Sequence, residues 1–194
     1  MADEVATWMP KYGIDGIDLD IEEGAGSSVE AGINMGHFVR RLRDLQPDII
    51  IGQPTYDYPQ IEAEIEVINQ SWNPGRTSNN MADSVGLMVY EGSQALNYVK
   101  NYAEGTSQWE GFPITCDVPY EAIMLGCKGS SPRAPIIEMA NEVVRQDLLG
   151  IMVWFASVQN GLQYEVSWDA SEVEESQQAY IEARQIMNAG LRGN

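Results

Sequence analysis

The strongest constraint on the fold of this chain is the alternation of short apolar runs with segments of helical spacing. Five such runs occur in the 194 residues: GIDGIDLDI (13–21), IIIGQP (49–54), VGLMVY (85–90), PITCDV (113–118) and GIMVWFAS (150–157). The second and fifth are almost continuously apolar, as is typical of strands covered on both faces. Strands that alternate with helices predict an α/β fold with a parallel sheet, in one domain over residues 1–194.

Six segments with helical spacing accompany these runs. They are EVATWMPKYG (4–13), SVEAGINMGHFVRRLRDLQ (28–46), PQIEAEIEVINQSW (59–72), SQALNYVKNYAE (93–104), SPRAPIIEMANEVVRQDLL (131–149) and EVEESQQAYIEARQIMNAG (172–190). Pro47 is expected to stop the second helix, because an interior proline removes a backbone hydrogen bond and disfavours the helical conformation of the residue before it. Gly190 is predicted to be the C-cap of the last helix.

Charge and motif content exclude several classes of function. The net charge of −18 argues against nucleic acid or an anionic membrane as a partner, because both require a basic surface. No G-x-G-x-x-G segment and no P-loop is present, so we predict no nucleotide cofactor. The first residues lack the features of a signal peptide, and we expect that a leader could lie upstream. Cys116 and Cys127 leave both a disulfide and two free thiols open.

The stretch DGIDLDIEE (15–23), which overlaps the first apolar run, carries acids along one side of a predicted strand. Side chains alternate between the faces of a strand, so Asp18, Asp20 and Glu22 are expected to share one face. Carboxylates at this spacing repel one another when all are ionised, so at least one should hold a proton near neutral pH. A carboxyl group that holds a proton beside a hydrogen-bonding neighbour is suited to general acid catalysis.

Other interpretations of this acidic stretch stay open from the residues alone. An exposed amphipathic edge strand gives the same alternation of acidic and aliphatic side chains. A hard-metal site is a second alternative, but no other acidic cluster is obvious on the remaining strands, and we predict no metal. An EF-hand is excluded because Glu23 stands where that loop requires glycine.

The acidic stretch matches the pattern D-x-x-D-x-D-x-E in full, with Asp15, Asp18, Asp20 and Glu22 at its fixed positions. This pattern resembles the signature of glycoside hydrolase family 18, the chitinases and their relatives. The resemblance implies a (β/α)8 TIM barrel, in which the acids point inward and Glu22 ends its strand. Barrel enzymes place their chemistry at the C-terminal ends of the strands.

Two later stretches agree with this resemblance in order and spacing, and a third position is similar to part of the family. The tetrapeptide MVYE (88–91) is similar to the family's M-x-Y-D on the sixth barrel strand, and GIMVW (150–154) is similar to the eighth strand. Gln53, followed by a proline, is similar to the end of the fifth strand in part of the family. The chain therefore aligns with barrel strands four to eight.

The resemblance also implies roles for individual residues. Glu22 would protonate the glycosidic oxygen, while the 2-acetamido oxygen of the substrate, and no enzyme carboxylate, attacks the anomeric carbon with net retention. Asp20 would stabilise the resulting oxazolinium ion, and Asp18 would share a proton with Asp20. Tyr90 would hydrogen-bond the acetamido carbonyl group.

The same resemblance implies a substrate and its contacts. Trp154 would form the floor under the distorted sugar. The remaining positions that the matched motifs assign to substrate binding are Asp15, Gln53, Met88 and Glu91. The expected ligand is chitin or a chito-oligosaccharide, the expected compartment is extracellular, and no cofactor is implied. Endo-glucosaminidase action on N-glycans uses the same residues and stays open.

Two departures from the family pattern favour an alternative function. Glu91 stands where the family has aspartate, and barrel strands one to three have no counterpart in this chain. Five strands cannot close an eight-stranded barrel, so we expect that further upstream sequence, a second chain or further copies cover the open edges. The alternative is a catalytically weak or inactive chitinase-like protein that binds glycans or has a structural role.

Overall fold

The fold is seen in a computed structural model, which describes residues 1–21, 28–56, 62–72, 81–90, 95–105, 108–109, 112–113, 117–128, 133–154 and 170–191. Six helices lie in these ranges: α1 (Ala2–Tyr12), α2 (Val29–Leu45), α3 (Glu62–Ser71), α4 (Ala95–Glu104), α5 (Arg133–Gln146) and α6 (Ala170–Leu191). Seven strands accompany them: β1 (Gly16–Asp18), β2 (Ile50–Tyr56), β3 (Ser84–Met88), β4 (Gln108–Trp109), β5 (Phe112–Pro113), β6 (Ile123–Lys128) and β7 (Gly150–Trp154).

Five of the strands form one parallel sheet in the order β1-β2-β3-β6-β7, and β4 pairs with β5 in a separate antiparallel ribbon. Across the first three strands, Asp18 of β1 pairs with Gly52 of β2, and Gly52 pairs with Ser84 of β3. Every neighbouring pair in the large sheet is parallel, which confirms the predicted α/β class. Within the described residues, β1 and β7 each have a hydrogen-bonded strand on one side, and the sheet is open.

One face of the large sheet packs against the helices and is called here the helix face. Alternate residues of the central strands are fully buried on it: Ile51, Val85, Leu87, Ile123, Leu125 and Cys127. Two contacts identify the helices that cover it. The Thr55 hydroxyl lies 3.1 Å from the Tyr102 hydroxyl of α4, and Cys127 Sγ lies 3.0 Å from Met139 Sδ of α5. Ile17 and Leu19 pack against the same core from β1 and the residue after it.

The opposite face is called here the acidic face, and it carries Asp18, Gly52, Ser84, Gly86, Gly126 and Met152. A Cβ atom added at Gly52 would overlap the Asp18 carboxylate, and one added at Gly86 would lie 2.8 Å from Met152 Sδ. These close contacts show that the Asp18 and Met152 side chains lie over glycines of the neighbouring strands. Three glycines on one face therefore leave room for larger side chains from other strands.

An ion pair ties together the N-terminal ends of β2 and β3. Arg43 of α2, with 15% of its side chain exposed, donates to Asp83 Oδ2 at 2.7 Å and to the Met81 carbonyl oxygen at 3.2 Å. The same Asp83 oxygen accepts the backbone N–H of Ile51 at 2.7 Å. Since a charge-assisted hydrogen bond is stronger than a neutral one, this arrangement fixes the start of two strands.

The fourth predicted strand, PITCDV, does not join the large sheet where it is described, because Pro113 ends the ribbon strand β5 and Asp117 and Val118 are not in a strand. The fourth large-sheet strand along the chain is β6, IMLGCK, which follows a short 3-10 helix at Tyr120–Ala122. Asp117 and Val118 instead donate backbone hydrogen bonds to the carbonyl oxygens of Trp72 and Tyr102, at the ends of α3 and α4. The backbone donors of this segment are therefore satisfied by helix ends, and residues 114–116 of the predicted strand lie outside the described residues.

The helix predictions were more accurate, with one error at the end of the chain. Ser28 caps α2 by accepting the N–H of Ala31, and Gly13 ends α1 with a left-handed φ of 65°. Gly190 is not a C-cap, because α6 continues to Leu191. A Cβ atom at Gly190 would lie 2.6 Å from Val144 Cγ1, so this glycine allows α6 to approach α5 closely.

None of the helices in the described ranges combines the length and the apolar content that a bilayer span requires.

Candidate functional site

The candidate site lies at the C-terminal edge of the five-stranded sheet. Because all five strands are parallel, their C-terminal ends lie along the same edge. This edge brings together residues that are far apart in the sequence: Asp18 at the end of β1, Met88 and Tyr90 at the end of β3, Lys128 at the end of β6 and Trp154 at the end of β7. Ligands of open parallel sheets bind at this edge.

Backbone hydrogen bonds extend the pairing of β1 with β2 to Asp15 and to Leu19, and the side chains along this stretch alternate as the sequence predicts. The Asp15 carbonyl oxygen accepts the Ile50 N–H at 3.0 Å, and Leu19 N–H donates to the Gly52 carbonyl oxygen at 2.9 Å, so the ladder extends one residue beyond β1. Leu19 packs on the helix core, whereas Asp18 and Asp20 are exposed. The aliphatic and acidic residues are thus separated onto opposite sides of the strand.

Asp18 is the acid whose surroundings are best defined. Its side chain is exposed overall, but one carboxylate oxygen lies against the backbone of Gly52. Partial burial, and after it the negative charge of Asp20, raise the pKa of Asp18 above its ordinary value of 3.8. Both causes disfavour the ionised form of Asp18. A carboxyl group whose pKa is raised in this way is suited to holding a proton beside a reacting group.

Tyr90 and Met88 occupy the edge two strands away from Asp18. Met88 is the last residue of β3, is 8% exposed and shares the acidic face with Gly86 by alternation. Tyr90 follows in a turn and is half-buried, and the Lys128 ammonium lies 5.9 Å from the centroid of its ring. A half-buried phenol at this edge can donate a hydrogen bond to a bound ligand.

Gln53 lies apart from these residues. It stands between Ile51 and Thr55 on the helix face and is 1% exposed. Neither its amide nitrogen nor its amide oxygen has a hydrogen-bond partner among the described residues. The structure therefore does not bring Gln53 to the acidic face, because side chains alternate along β2 and the preceding Gly52 is the residue in register with Asp18.

Two predicted site residues are not described, and a third is described through its backbone. Glu22 and Glu91 lie outside the described residues. Trp154 is described through its backbone, as the last residue of β7, and its Cα atom pairs with the Cα atom of Lys128 on β6. Trp154 is therefore positioned at the C-terminal edge through its strand, beside the strand that carries Lys128.

Sequence reasoning missed Lys128 and the glycines of the acidic face. The signal for the glycines was present, because GQP, VGL and LGC each place glycine in a strand and so mark close approach of another group. Lys128 was missed because the strand that carries it was not predicted. Among the described residues, no group of three or more His, Cys, Asp or Glu side chains is arranged to hold a metal ion.

A groove of about 280 Å³ lies at the opposite end of β7, where Leu148 and Gly150 meet Arg184 and Met187 of α6. Gly150 and Trp154 are the first and last residues of β7. At about 3.3 Å per residue, roughly 13 Å of strand separates this groove from the candidate site. The groove is therefore separate from the candidate site at the C-terminal edge of the sheet.

Comparison of the chain with models of known families, with curated proteins and with solved structures found no match. The fold and the site by themselves define the class: an α/β protein with a five-stranded parallel sheet, in which Asp18 at the end of an outer strand has a raised pKa.

Proposed function

We propose that this protein is a retaining glycoside hydrolase that cleaves β-1,4-linked N-acetylglucosamine polymers by substrate-assisted catalysis. The observation that carries the proposal is the placement of Asp18, whose carboxylate lies over Gly52 and whose pKa is raised by burial and by Asp20. Within the described residues β1 is at the edge of the sheet and its acids are exposed, so the alternation alone does not carry the proposal. The glycine beneath Asp18 does, because an amphipathic edge strand does not require one.

In the proposed reaction, Glu22 donates its proton to the glycosidic oxygen as the bond from that oxygen to the anomeric carbon breaks. The acetamido oxygen of the same sugar forms a bond to the anomeric carbon from the opposite side, which gives an oxazolinium ion. Asp20 accepts a hydrogen bond from the acetamido N–H and stabilises the positive charge. Water then adds at the anomeric carbon, Glu22 takes a proton from it, and the β configuration is restored.

Asp18 and Tyr90 support this reaction from either side of the sugar. The raised pKa of Asp18 favours a proton shared between Asp18 and Asp20, so that Asp20 can turn toward the substrate. Tyr90 donates a hydrogen bond to the acetamido oxygen and orients it for attack. Trp154 stacks on the apolar face of the sugar. No metal or cofactor takes part in this scheme.

We further propose that the sheet is part of a (β/α)8 barrel whose interior is lined by the acidic face. Five parallel strands with helices on one side support this proposal, and in such a barrel they would be strands four to eight. The open sides of β1 and β7 would be covered by further sequence, by another chain or by further copies. Action on chitin outside the cell is the setting that this activity implies.

The proposal is tested by release of 4-nitrophenol from a chitobiose glycoside. Glu22→Gln should lower the rate by about 10²–10⁴-fold, because a positioned general acid contributes a factor of that size. Glu138→Gln makes the same change at an exposed position of α5 and should leave the rate unchanged. Equal rates for wild type and Glu22→Gln would remove Glu22 from the proposed role.

The open sheet favours a second candidate function, in which the protein binds chito-oligosaccharides without cleaving them. Within the described residues, β1 and β7 each have one neighbour, and an incomplete barrel could retain a binding edge while losing catalytic geometry. Calorimetric titration with chitohexaose, followed by analysis of the recovered sugar, separates the two functions. Binding with intact sugar favours the second function, and shortened products favour the hydrolase.

A further inference from the structure

Lys128 brings a positive charge to the acidic face. It is the last residue of β6 and the only basic residue in the seven strands that the structure describes. Its neighbour Cys127 is fully buried against Met139 of α5, on the helix face. Because side chains alternate along a strand, the half-buried Lys128 side chain is on the opposite face, with Gly126.

The backbone of Lys128 is anchored from the helix side. The Tyr180 hydroxyl of α6 donates a hydrogen bond of 2.6 Å to the Lys128 carbonyl oxygen. The Cα atom of Lys128 also pairs with that of Trp154 on β7. The hydrogen bond and the strand pairing fix the backbone at the end of β6, and with it the Cα atom from which the Lys128 side chain extends.

The backbone of Lys128 is held by α6, whereas its side chain extends toward Tyr90, which follows β3. Its ammonium lies 5.9 Å from the centroid of the Tyr90 ring, within the range of about 6 Å over which a cation is attracted to an aromatic face. Both residues are half-buried, and partial removal from water strengthens this attraction. Lys128 therefore links the strand of Trp154 to the ring of Tyr90.

We propose that Lys128 is a positioning residue that holds the Tyr90 ring at the C-terminal edge of the sheet. Its catalytic consequence rests on the proposed function, in which the Tyr90 hydroxyl orients the acetamido oxygen. Lys128 itself acts through Tyr90 and not on the sugar. Substitution of Lys128 should thus alter catalysis only in proteins that retain the Tyr90 hydroxyl.

The contact is tested first without substrate. In protein labelled with 13C at the tyrosine Cζ atom, the Tyr90 resonance is assigned from its loss in Tyr90→Phe. Lys128→Met keeps the aliphatic stem and removes the charge, and it should shift this resonance, whereas Lys128→Arg should keep it closer to the wild-type position. Lys11 and Tyr12 form an exposed pair at 4.9 Å on α1, so Lys11→Met supplies a matched control that should shift only Tyr12.

The catalytic consequence is tested by kinetics in two backgrounds. A misplacement of about 1 Å can lower the rate on the order of 10²-fold. Lys128→Met should release the Tyr90 ring only in part, so we expect kcat/KM to fall about tenfold. In the Tyr90→Phe background the same change should cost nothing further, because residues that act as a unit are not additive. Lys128→Arg should recover most of the wild-type value.

The outcomes distinguish this proposal from the proposed function. An unmoved Tyr90 resonance in Lys128→Met would overturn the positioning role whatever the enzyme does. An equal loss of kcat/KM in both backgrounds would also overturn it, because Lys128 would then act independently of Tyr90. A wild-type protein that never cleaves the sugar would contradict the hydrolase, and the resonance shift would still decide the role of Lys128.

Discussion

The carboxylate of Asp18 lies over Gly52, its backbone partner on the neighbouring strand. Asp18 and Gly52 are paired in the parallel ladder of β1 and β2, and a methyl group at Gly52 would overlap Asp18 Oδ1. Ser84, the next residue in the same row, has its hydroxyl 3.5 Å from that methyl position. Glycine at position 52 thus leaves the space that the Asp18 carboxylate occupies.

Gly52→Ala should displace the Asp18 carboxylate and lower kcat/KM by about 10- to 100-fold, since misplacement by about 1 Å has that order of effect. Gly86→Ala is the matched control, because its added methyl group meets the flexible end of Met152 and leaves Asp18 alone. Activity is measured on the chitobiose glycoside, and folding by circular dichroism. Full activity in a folded Gly52→Ala protein would show that the contact is not needed.

The raised pKa of Asp18 predicts a stability effect that depends on pH. The folded protein binds the Asp18 proton more tightly than the unfolded chain, so the ionised carboxylate opposes folding above the raised pKa. This unfavourable contribution disappears as the pH falls below the ordinary value of 3.8. Asp18→Asn should therefore raise the melting temperature at pH 7 and have no such effect near pH 3.

Asp48→Asn is the control for this prediction, because it removes an exposed carboxylate between α2 and β2. Its melting temperature should follow that of wild type at both pH values. A lower melting temperature of Asp18→Asn at pH 7 would mean that the Asp18 charge stabilises the fold, contrary to the contacts described.

Asp83→Ala should destabilise the protein by about 1–3 kcal/mol. The substitution leaves the Ile51 N–H and the largely buried Arg43 without their shared acceptor, and unsatisfied buried donors cost that much. Urea unfolding measures the change. Asp3→Ala breaks an exposed ion pair with Arg41 and should leave the midpoint nearly unchanged. Equal midpoints for the two variants would contradict the role of the Arg43–Asp83 pair.

Cys127 should be unreactive in the folded protein. Burial raises the pKa of its thiol to about 12, while a hydrogen bond with Tyr180 acts in the opposite direction. At pH 8 the thiolate fraction is therefore on the order of 10⁻⁴, and the sulfur lies on the helix face. In a Cys116→Ser background, a thiol-specific disulfide reagent should react with Cys127 only after unfolding in urea. Rapid reaction with the native protein would contradict the packing of β6 on α5.

The sequence was most informative where local chemistry and burial agree. Ser28 and Gly13 are placed at helix ends by backbone requirements that no distant contact overrides. The alternation of Leu19 with Asp18 and Asp20 was also correct, because a half-buried strand imposes a period of two on apolar and polar residues.

The sequence was least informative where tertiary contacts decide. PITCDV has the composition of a strand, yet Val118 donates its N–H to the end of α4, which no local pattern reveals. Gln53 was taken to end its strand, but the strand continues to Tyr56, and alternation with Gly52 places the Gln53 side chain on the helix face. The contact of Lys128 with Tyr90 depends on the packing order of β3 beside β6, which are separated in the chain by α4 and the β4–β5 ribbon.

The central claim is most directly tested by the configuration of the first product. Proton NMR of chitohexaose during the first minutes of cleavage reports the anomers before they equilibrate in water. The account predicts an initial excess of the β-anomer at the new reducing end, since the acetamido oxygen and water attack in succession from opposite faces. An initial excess of the α-anomer, or sugar that stays intact beside a correctly folded protein, would contradict it.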